Sequence, residues 1–495
     1  MPGYAKEAPA RSLPVVRTEL FVGGVWRQGA GRERDIRSPS DGTVLATIRD
    51  ADLSDLSSAV DAAKAAQSAW RRAGPGARGA ALRQAAARLR DHAEELALID
   101  ALDSGNPITG MRFDVGLGAT LIDYFAGIAT EAKGETIPQR DGKITYVTRE
   151  PLGVVARLVA FNHPLLFAAA KMAAPLAAGN AVIVKPSEET PLSALRMAEL
   201  IADIFPPGIL SVLTGGAELG SAICGHRCIS AVSLIGSVQT GKAVLRGGAD
   251  TLKRTQLELG GKNALVICPD ADIDAAIAGA VKGMNLGWTA GQSCGSTSRV
   301  LVHQSLHDRV VDGIAQAFDK VRVGDPTDDA TEMGCLSTAR QYEKVCGFIE
   351  QAVSEGAVLA AGGEPSSVPK GGYFVRPTLV TGLKPQMRIA REEVFGPVLS
   401  VLSWQDEDEM LDVVNGLDVG LTASVWTRDL DTAMRLTDRI QAGYVWVNDS
   451  SDHYLGAPFG GVKSSGIGRE ECLEELLAYT EQKTVTIVPK QSKHP

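Results

Sequence analysis

The chain has 495 residues, 44% of them apolar, with 53 glycines, 24 prolines and a formal net charge of −9. That length exceeds what one hydrophobic core serves, so about two or three domains are expected. The acidic balance, with no lysine- or arginine-rich block, excludes nucleic acid and anionic membranes as default partners, because both require basic surface.

Residues 1–14 hold charges and prolines but no apolar core, so no secretory leader is expected. No uninterrupted apolar run approaches the roughly 20 residues that cross a bilayer. The 7 scattered cysteines fit reduced thiols, and a cytoplasmic location is expected.

Residues 53–72 place apolar side chains at helical spacing behind Ser54 as a candidate cap. Residues 78–103 predict a longer helix stopped by Gly105 and Pro107. Residues 131–150, rich in Thr, Tyr, Val and charge, predict an exposed strand pair of the kind that covers a sheet edge or joins another subunit. From Val154 short apolar runs alternate with helical stretches: Val154–Phe161 with Leu165–Ala178, Ala181–Val184 with Leu192–Ile204, Leu210–Leu213 with Glu218–Cys224, and Ile229–Ile235 with Thr240–Arg246. Such alternation calls for a parallel sheet covered on both faces, with ligands at the C-terminal strand edge. A second series runs from Asn263 to about Trp446, with strand candidates Ala264–Ile267, Val300–His303, Leu399–Leu402 and Ala423–Trp426 and a helical pattern over Ile273–Leu286. The fold class is α/β, with two such domains meeting at a cleft. Residues 484–495 end in a short β-prone piece and a polar tail.

Cys294 sits in Gly291-Gln292-Ser293-Cys294-Gly295, small and polar where a packing cysteine prefers apolar neighbours. Glycine on both sides leaves room for a reacting carbon and for backbone N–H groups that receive negative charge. Glu258, in Leu257-Glu258-Leu259-Gly260-Gly261-Lys262, is a lone carboxylate in an apolar setting that tunes it toward a general base. A nucleophile with a separate base suggests covalent catalysis followed by hydrolysis.

Other motifs carry two readings each. Ile229–Ile235 followed by Gly236-Ser237 is a strand, a turn and a helix start, which suits a phosphate or is ordinary punctuation; it does not match G-x-G-x-x-G. Lys185-Pro186-Ser187-Glu188 follows a strand, so the cation could meet phosphate or ribose and the carboxylate a ribose diol, or the segment is a solvated loop. Phe161-Asn162-His163-Pro164 offers an amide to an oxyanion, or an Asx turn ahead of proline.

Three arrangements fail on context. Cys224, His226 and Cys228 lack a matching second pair, so no metal site is expected. His303 and His307 lack the glutamate of a metalloprotease helix. Gly291 to Gly295 matches G-x-S-x-G, yet a serine nucleophile elbow needs a strand before it and a helix after it, and here that order is reversed.

Taken together, the chain resembles the aldehyde dehydrogenase superfamily from about residue 20 to residue 487. Glu258-Leu259-Gly260-Gly261-Lys262, Gly291-Gln292-Ser293-Cys294, Glu392-Glu393-Val394-Phe395-Gly396-Pro397, Pro458-Phe459-Gly460-Gly461 and Gly466-Ile467-Gly468-Arg469-Glu470 follow the family's order. The chain departs from its pattern at Leu234-Ile235, where Phe-Thr is common, and at His163, where another aromatic is common. The interval from Glu258 to Cys294 is also slightly longer than usual.

The resemblance implies a Rossmann-like dinucleotide-binding domain over 17–130 and 152–260, a catalytic domain over 261–463, and an oligomerisation ribbon and tail over 131–151 and 479–495. It implies oxidation of an aldehyde to the acid, with Cys294 as nucleophile, Asn162 and the Cys294 N–H as oxyanion hole, Glu258 as base, and Lys171 as a further catalytic group. Cofactor contacts fall on Phe161, Lys185, Ser187, Glu188, Gly236, Ser237, Leu259, Glu393 and Phe395. NAD is expected over NADP, because a 2′-phosphate beside Glu188 meets a like charge worth up to about 4 kcal/mol at roughly 4 Å and an effective dielectric of about 20.

Tyr124, Phe167, Trp288, Ser293, His453, Tyr454 and Phe459 would line an aldehyde tunnel. Such aromatic faces favour a bulky or aromatic aldehyde over a betaine-type aldehyde or a semialdehyde. A homodimer or homotetramer is expected. The acyl-transferring branch to coenzyme A usually lacks the base, and a structural relative needs neither Cys294 nor Glu258.

Overall fold

The eight-stranded first sheet is built around five parallel strands in the order Leu210–Val212, Ala181–Lys185, Val154–Leu158, Ala231–Gly236 and Arg254–Leu259. This is a computed structural model, and it describes residues 12–140, 142–363, 369 and 371–489. The earliest of the five strands, Val154–Leu158, lies in the middle, so the connections leave it in opposite directions and open a crevice beyond its C-terminal end. Leu20–Val22 and Val25–Arg27 close one edge antiparallel. Gly466–Ile467 returns late in the chain to close the other, with Gly466 opposite Glu258.

The second sheet has seven strands, ordered Val358–Ala361, Thr378–Thr381, Val398–Trp404, Arg299–His303, Ala264–Ile267, Thr422–Trp426 and Tyr444–Val447. All four predicted strands are there, and Val358–Ala361, Thr378–Thr381 and Tyr444–Val447 join them. Along Ala264–Ile267 alternate residues serve opposite faces. Leu265 and Ile267 enter one apolar cluster, and Ala264 and Val266 the other. Burial on both faces is why its central strands read as unbroken apolar runs.

Four helical expectations change. The cap of Leu53–Arg72 is Asp52, whose carboxylate accepts from Ser54 N at 2.8 Å and Asp55 N at 3.0 Å, while Asp55 accepts from Asp52 N. The 78–103 pattern is two helices, Gly74–Asp91 and Ala93–Ser104, the second ended by Gly105 at φ 79°. Pro107, read as a stop, also precedes a further helix, Ile108–Gly127; a proline just ahead of a first turn needs no N–H there. Finally, Ile273–Leu286 breaks after Lys282 and restarts as Leu286–Thr289 behind Asn285 at φ 53°.

The predicted strand pair has three members. Ile144–Pro151 lies between Glu135–Ile137 and the C-terminal Thr480–Ile487, paired from Thr480 opposite Pro151 to Ile487 opposite Ile144. The polar tail over 490–495 lies outside the described residues. Among the described residues no helix is long and apolar enough to cross a membrane.

Candidate active site

A cavity of about 930 Å³ fills the crevice between the two sheets. Asn162, Lys185, Ser187, Glu188, Gly236, Ser237 and Glu258 reach it from the first sheet, and Cys294, Glu393 and Phe395 from the far side. Sequence motifs as far apart as 161 and 395 thus share one wall. Phe161 and Phe395 meet edge-on within it, ring centroids 5.9 Å apart.

Cys294 leaves the short helix Leu286–Thr289 through two left-handed residues, Ala290 at φ 51° and Gly291 at φ 74°. Its loop is fastened to the second sheet by Asn263, whose side-chain N–H donates to Cys294 O at 2.6 Å and Ser296 O at 2.9 Å. Asn263 Oδ1 in turn accepts from Thr422 N. Burial first, then the carboxylates of Glu258 and Glu393, push the half-buried thiol up to about 12, so it rests protonated. Asn162 donates one amide hydrogen to Gln292 O at 2.8 Å, and Asn106 grips Asn162 O from behind at 2.8 Å. Gln292 is itself held by Ser337 N and Thr289 O. Asn106, Asn263 and Gln292 escaped the sequence reading, since lone amides carry no pattern until the fold joins them.

Glu258 is buried, and neither carboxylate oxygen has a hydrogen-bond partner. Burial, reinforced by Glu470, raises its proton affinity well above the ordinary carboxylate range. A β-carbon at Gly460 would sit 2.8 Å from Glu258 Oε1, which explains glycine at that position. Lys171 does not line the cavity; it lies behind Glu258 and pairs with Glu470 at 2.7 Å, where Arg157 joins at 2.9 Å. Burial works against the Lys171 ammonium, but Glu470, Glu475 and Glu471 outweigh it and hold the proton on.

The expected cofactor wall is assembled except at one point. Lys185 Nζ stands 3.7 Å from Glu188, and Ser237 caps the helix Val238–Gly248, accepting from Thr240 N at 3.2 Å. That helix start faces the cavity with Gly236, a setting for phosphate. Glu393 accepts from Gly261 N, and a β-carbon at Gly260 would strike its carboxylate. Burial raises Glu393 to about 7, with Lys344 opposing. Phe395 holds φ 60°, a strain of about 1–3 kcal/mol that such a fold keeps only where the ring's direction is fixed. Leu259 is the exception: its side chain turns onto Gly241, away from the cavity.

The aromatic residues expected in the aldehyde tunnel form two groups, and none of them lines the main cavity. Trp288 and Phe167 flank His163 at 4.6 and 5.2 Å, and a buried Asp114 accepts from Trp288 Nε1 at 2.6 Å and pairs with His163 Nδ1 at 2.9 Å. His453 stacks on Phe459 at 4.3 Å and pairs with Glu471. Tyr124 lies beside Gly456, and Ser293 accepts from Asn285 at 3.3 Å. Tyr454 is 63% exposed, which makes it a rim residue and corrects its assignment to the tunnel wall. Among the described residues no cluster of three His, Cys, Asp or Glu side chains is arranged for a metal ion.

A parallel sheet with a crevice at its switch point thus faces a cysteine loop on a second sheet across one cavity. The aldehyde dehydrogenase family model matches residues 26–485. The chain is 47% identical to the aldehyde dehydrogenase tropH of Talaromyces stipitatus, covering 95% of this chain and 93% of that one. It is 42% identical to a betaine aldehyde dehydrogenase of Mesorhizobium japonicum, covering 91% and 92%. Among solved structures, PnpE from Pseudomonas sp. WBC-3 superposes with a TM-score of 0.93 at 37% identity, covering 97% and 99%. The chain belongs to the aldehyde dehydrogenase family, whose members are NAD(P)-dependent oxidoreductases.

Proposed function

We propose that the protein oxidises a bulky, preferentially aromatic aldehyde to its carboxylic acid with NAD, through a thioester on Cys294. One observation carries this reading: Cys294, Asn162 and Glu258 face a single cavity, and Glu258 is buried there with both oxygens free to accept a proton.

The cavity fits a dinucleotide in size and in its donors, with a helix start for phosphate and carboxylates at both ends for ribose. PnpE has been crystallised with that dinucleotide. Lys185 and Glu188 would hold the adenosine ribose, with Ser187 and Phe161 beside them. Gly236 and Ser237 would hold the pyrophosphate, and Glu393 and Phe395 the nicotinamide end; Leu259 could serve only through its backbone. When bound, the oxidised ring accepts the hydride and brings a positive charge that favours the Cys294 thiolate.

The Cys294 thiol gives up its proton to solvent, the sulfur adds to the aldehyde carbon, and the carbonyl oxygen becomes an oxyanion received by the free Asn162 N–H and the Cys294 N–H. Loss of hydride from that carbon leaves the thioester. Glu258 then takes a proton from water, which attacks the thioester and releases the acid and the thiol. Lys171 holds the neighbouring Glu470 charged and so sets the field at Glu258. Asn162→Ala lowers kcat by about 10²–10³, the scale of one oxyanion donor; steady-state kinetics with an unfolding curve to confirm the fold checks it.

The substrate class rests on the rings at Phe167, Trp288, His453 and Phe459, together with Tyr124 and Ser293. Asp114, at the first ring group, spends both oxygens on His163 and Trp288, which leaves none there for a quaternary ammonium, and Glu471 at the second holds His453. A betaine-type aldehyde is the second reading, favoured by two betaine aldehyde dehydrogenase relatives. A panel of aryl, aliphatic, quaternary-ammonium and semialdehyde substrates decides: aryl aldehydes give the highest kcat/KM, and a betaine-type aldehyde in first place reverses the assignment. The three-stranded ribbon supports a homodimer or homotetramer, and the scattered free thiols support a cytoplasmic location.

A further inference from the structure

Asp114, fully buried on the helix Ile108–Gly127, ties the two halves of the site together with one carboxylate oxygen for each. Oδ2 meets His163 Nδ1 at 2.9 Å; a carboxylate only accepts, so Nδ1 carries the hydrogen. His163 adjoins Asn162 just ahead of the helix Pro164–Ala178, on the side of the first sheet. Oδ1 accepts from Trp288 Nε1 at 2.6 Å. Trp288 stands on the short helix Leu286–Thr289, which leads through Ala290 and Gly291 to Cys294 on the side of the second sheet. The His163 and Trp288 rings also meet edge-on at 4.6 Å. The Asp114 helix approaches both sides through its backbone as well. A β-carbon at Gly110 would lie 3.0 Å from Gly287 O and 3.1 Å from Trp288 Cα. Just ahead of this helix, Asn106 Nδ2 donates to Asn162 O at 2.8 Å.

We propose that Asp114 is a positioning residue that holds the oxyanion donor Asn162 in register with the sulfur of Cys294. This rests on reading Asn162 and Cys294 as partners in the thioester route. The direct tie between their loops, Asn162 Nδ2 to Gln292 O at 2.8 Å, fixes them at one point. A second attachment through His163, Asp114 and Trp288 removes rotation about that point. A carboxylate suits the task, because its two oxygens lie in one rigid plane and accept from two donors at once. Losing either donor leaves a buried charge half satisfied, so the bridge holds as a unit. An amide in its place accepts with one oxygen and turns N–H groups toward the other donor, so one arm is lost. A reacting group displaced by about 1 Å loses about 10² in rate, which makes such a bridge matter.

The test separates oxyanion-dependent chemistry from simple sulfur reactivity in the full-length protein. Asp114→Asn breaks one arm of the bridge, and Trp288→Phe keeps a ring while removing its donor, so the second decides should the first not fold. One rate is single-turnover dinucleotide reduction with the aldehyde that leads the substrate panel. The other is alkylation of Cys294 by iodoacetamide without cofactor, a displacement that builds no oxyanion, followed on the Cys294 peptide by mass spectrometry. Each variant slows reduction about 10–100-fold and leaves alkylation within about threefold of the parent. In an Asn162→Ala background either substitution costs less than about threefold more, because the donor it positions is already gone. Reduction at the parent rate, reduction and alkylation slowed alike, or full additivity with Asn162→Ala overturns the bridge while leaving the thioester route intact. A parent that reduces the dinucleotide with no aldehyde of the panel overturns that route and the bridge with it.

Discussion

Replacing Cys294 by alanine is expected to abolish aldehyde oxidation, a loss of about 10⁴-fold or more, because the proposed thioester route has no other nucleophile in the cavity. Among the described residues one other thiol lines the cavity, Cys224, on the helix Ala217–Gly225. Burial raises Cys224, outweighing the Lys253 ammonium that pulls the other way. Ser293, one residue away, is bound to Asn285, and the strand that a serine elbow needs follows the loop instead of preceding it. Cys294→Ala therefore also ends any ester hydrolysis the protein shows. Initial rates of dinucleotide reduction and of aryl-ester cleavage measure both activities, and retained ester cleavage would reinstate the serine reading.

Glu258→Gln separates the two halves of the reaction. The amide keeps the shape of the carboxylate but cannot take a proton, so the first turnover still yields reduced dinucleotide while steady-state turnover falls about 10²–10⁴-fold. Rapid-mixing absorbance shows a burst near one equivalent per site, and mass spectrometry finds the acyl group on Cys294. Loss of burst and steady state together would place Glu258 ahead of acylation. The pH profile follows from the same carboxyl. Burial and Glu470 raise its proton affinity, and only the carboxylate can accept the water proton, so deacylation in the parent rises with pH and then levels. In Glu258→Gln that rising limb disappears.

Much of this was legible in the chain because both sheets are buried on two faces. Runs such as Ala181–Lys185 and Ala264–Ile267 announce strands by composition alone, and glycine-bracketed motifs mark where backbones approach catalytic groups. What escaped was set by packing. Ile108–Gly127 was hidden because a proline that ends one helix also begins another. The tunnel rings were grouped by resemblance, yet their directions depend on Asp114 and Glu471, whose roles emerge only when helices meet. The charge cluster behind Glu258 was invisible for the same reason: Lys171 and Glu470 are 2.7 Å apart in space and about 300 positions apart in sequence.

The late strand Gly466–Ile467 has one more bearing on how the enzyme works. It binds Glu470 and its cations to the same sheet that carries Glu258, whereas the sulfur is pinned through Asn263 and Thr422 to the other. Hinge motion between the halves would change how far the base stands from the sulfur while its acidity travels with it unaltered. Reach and basicity are thereby set by separate parts of the molecule, so evolution could adjust the opening for a larger or smaller guest without retuning the proton acceptor.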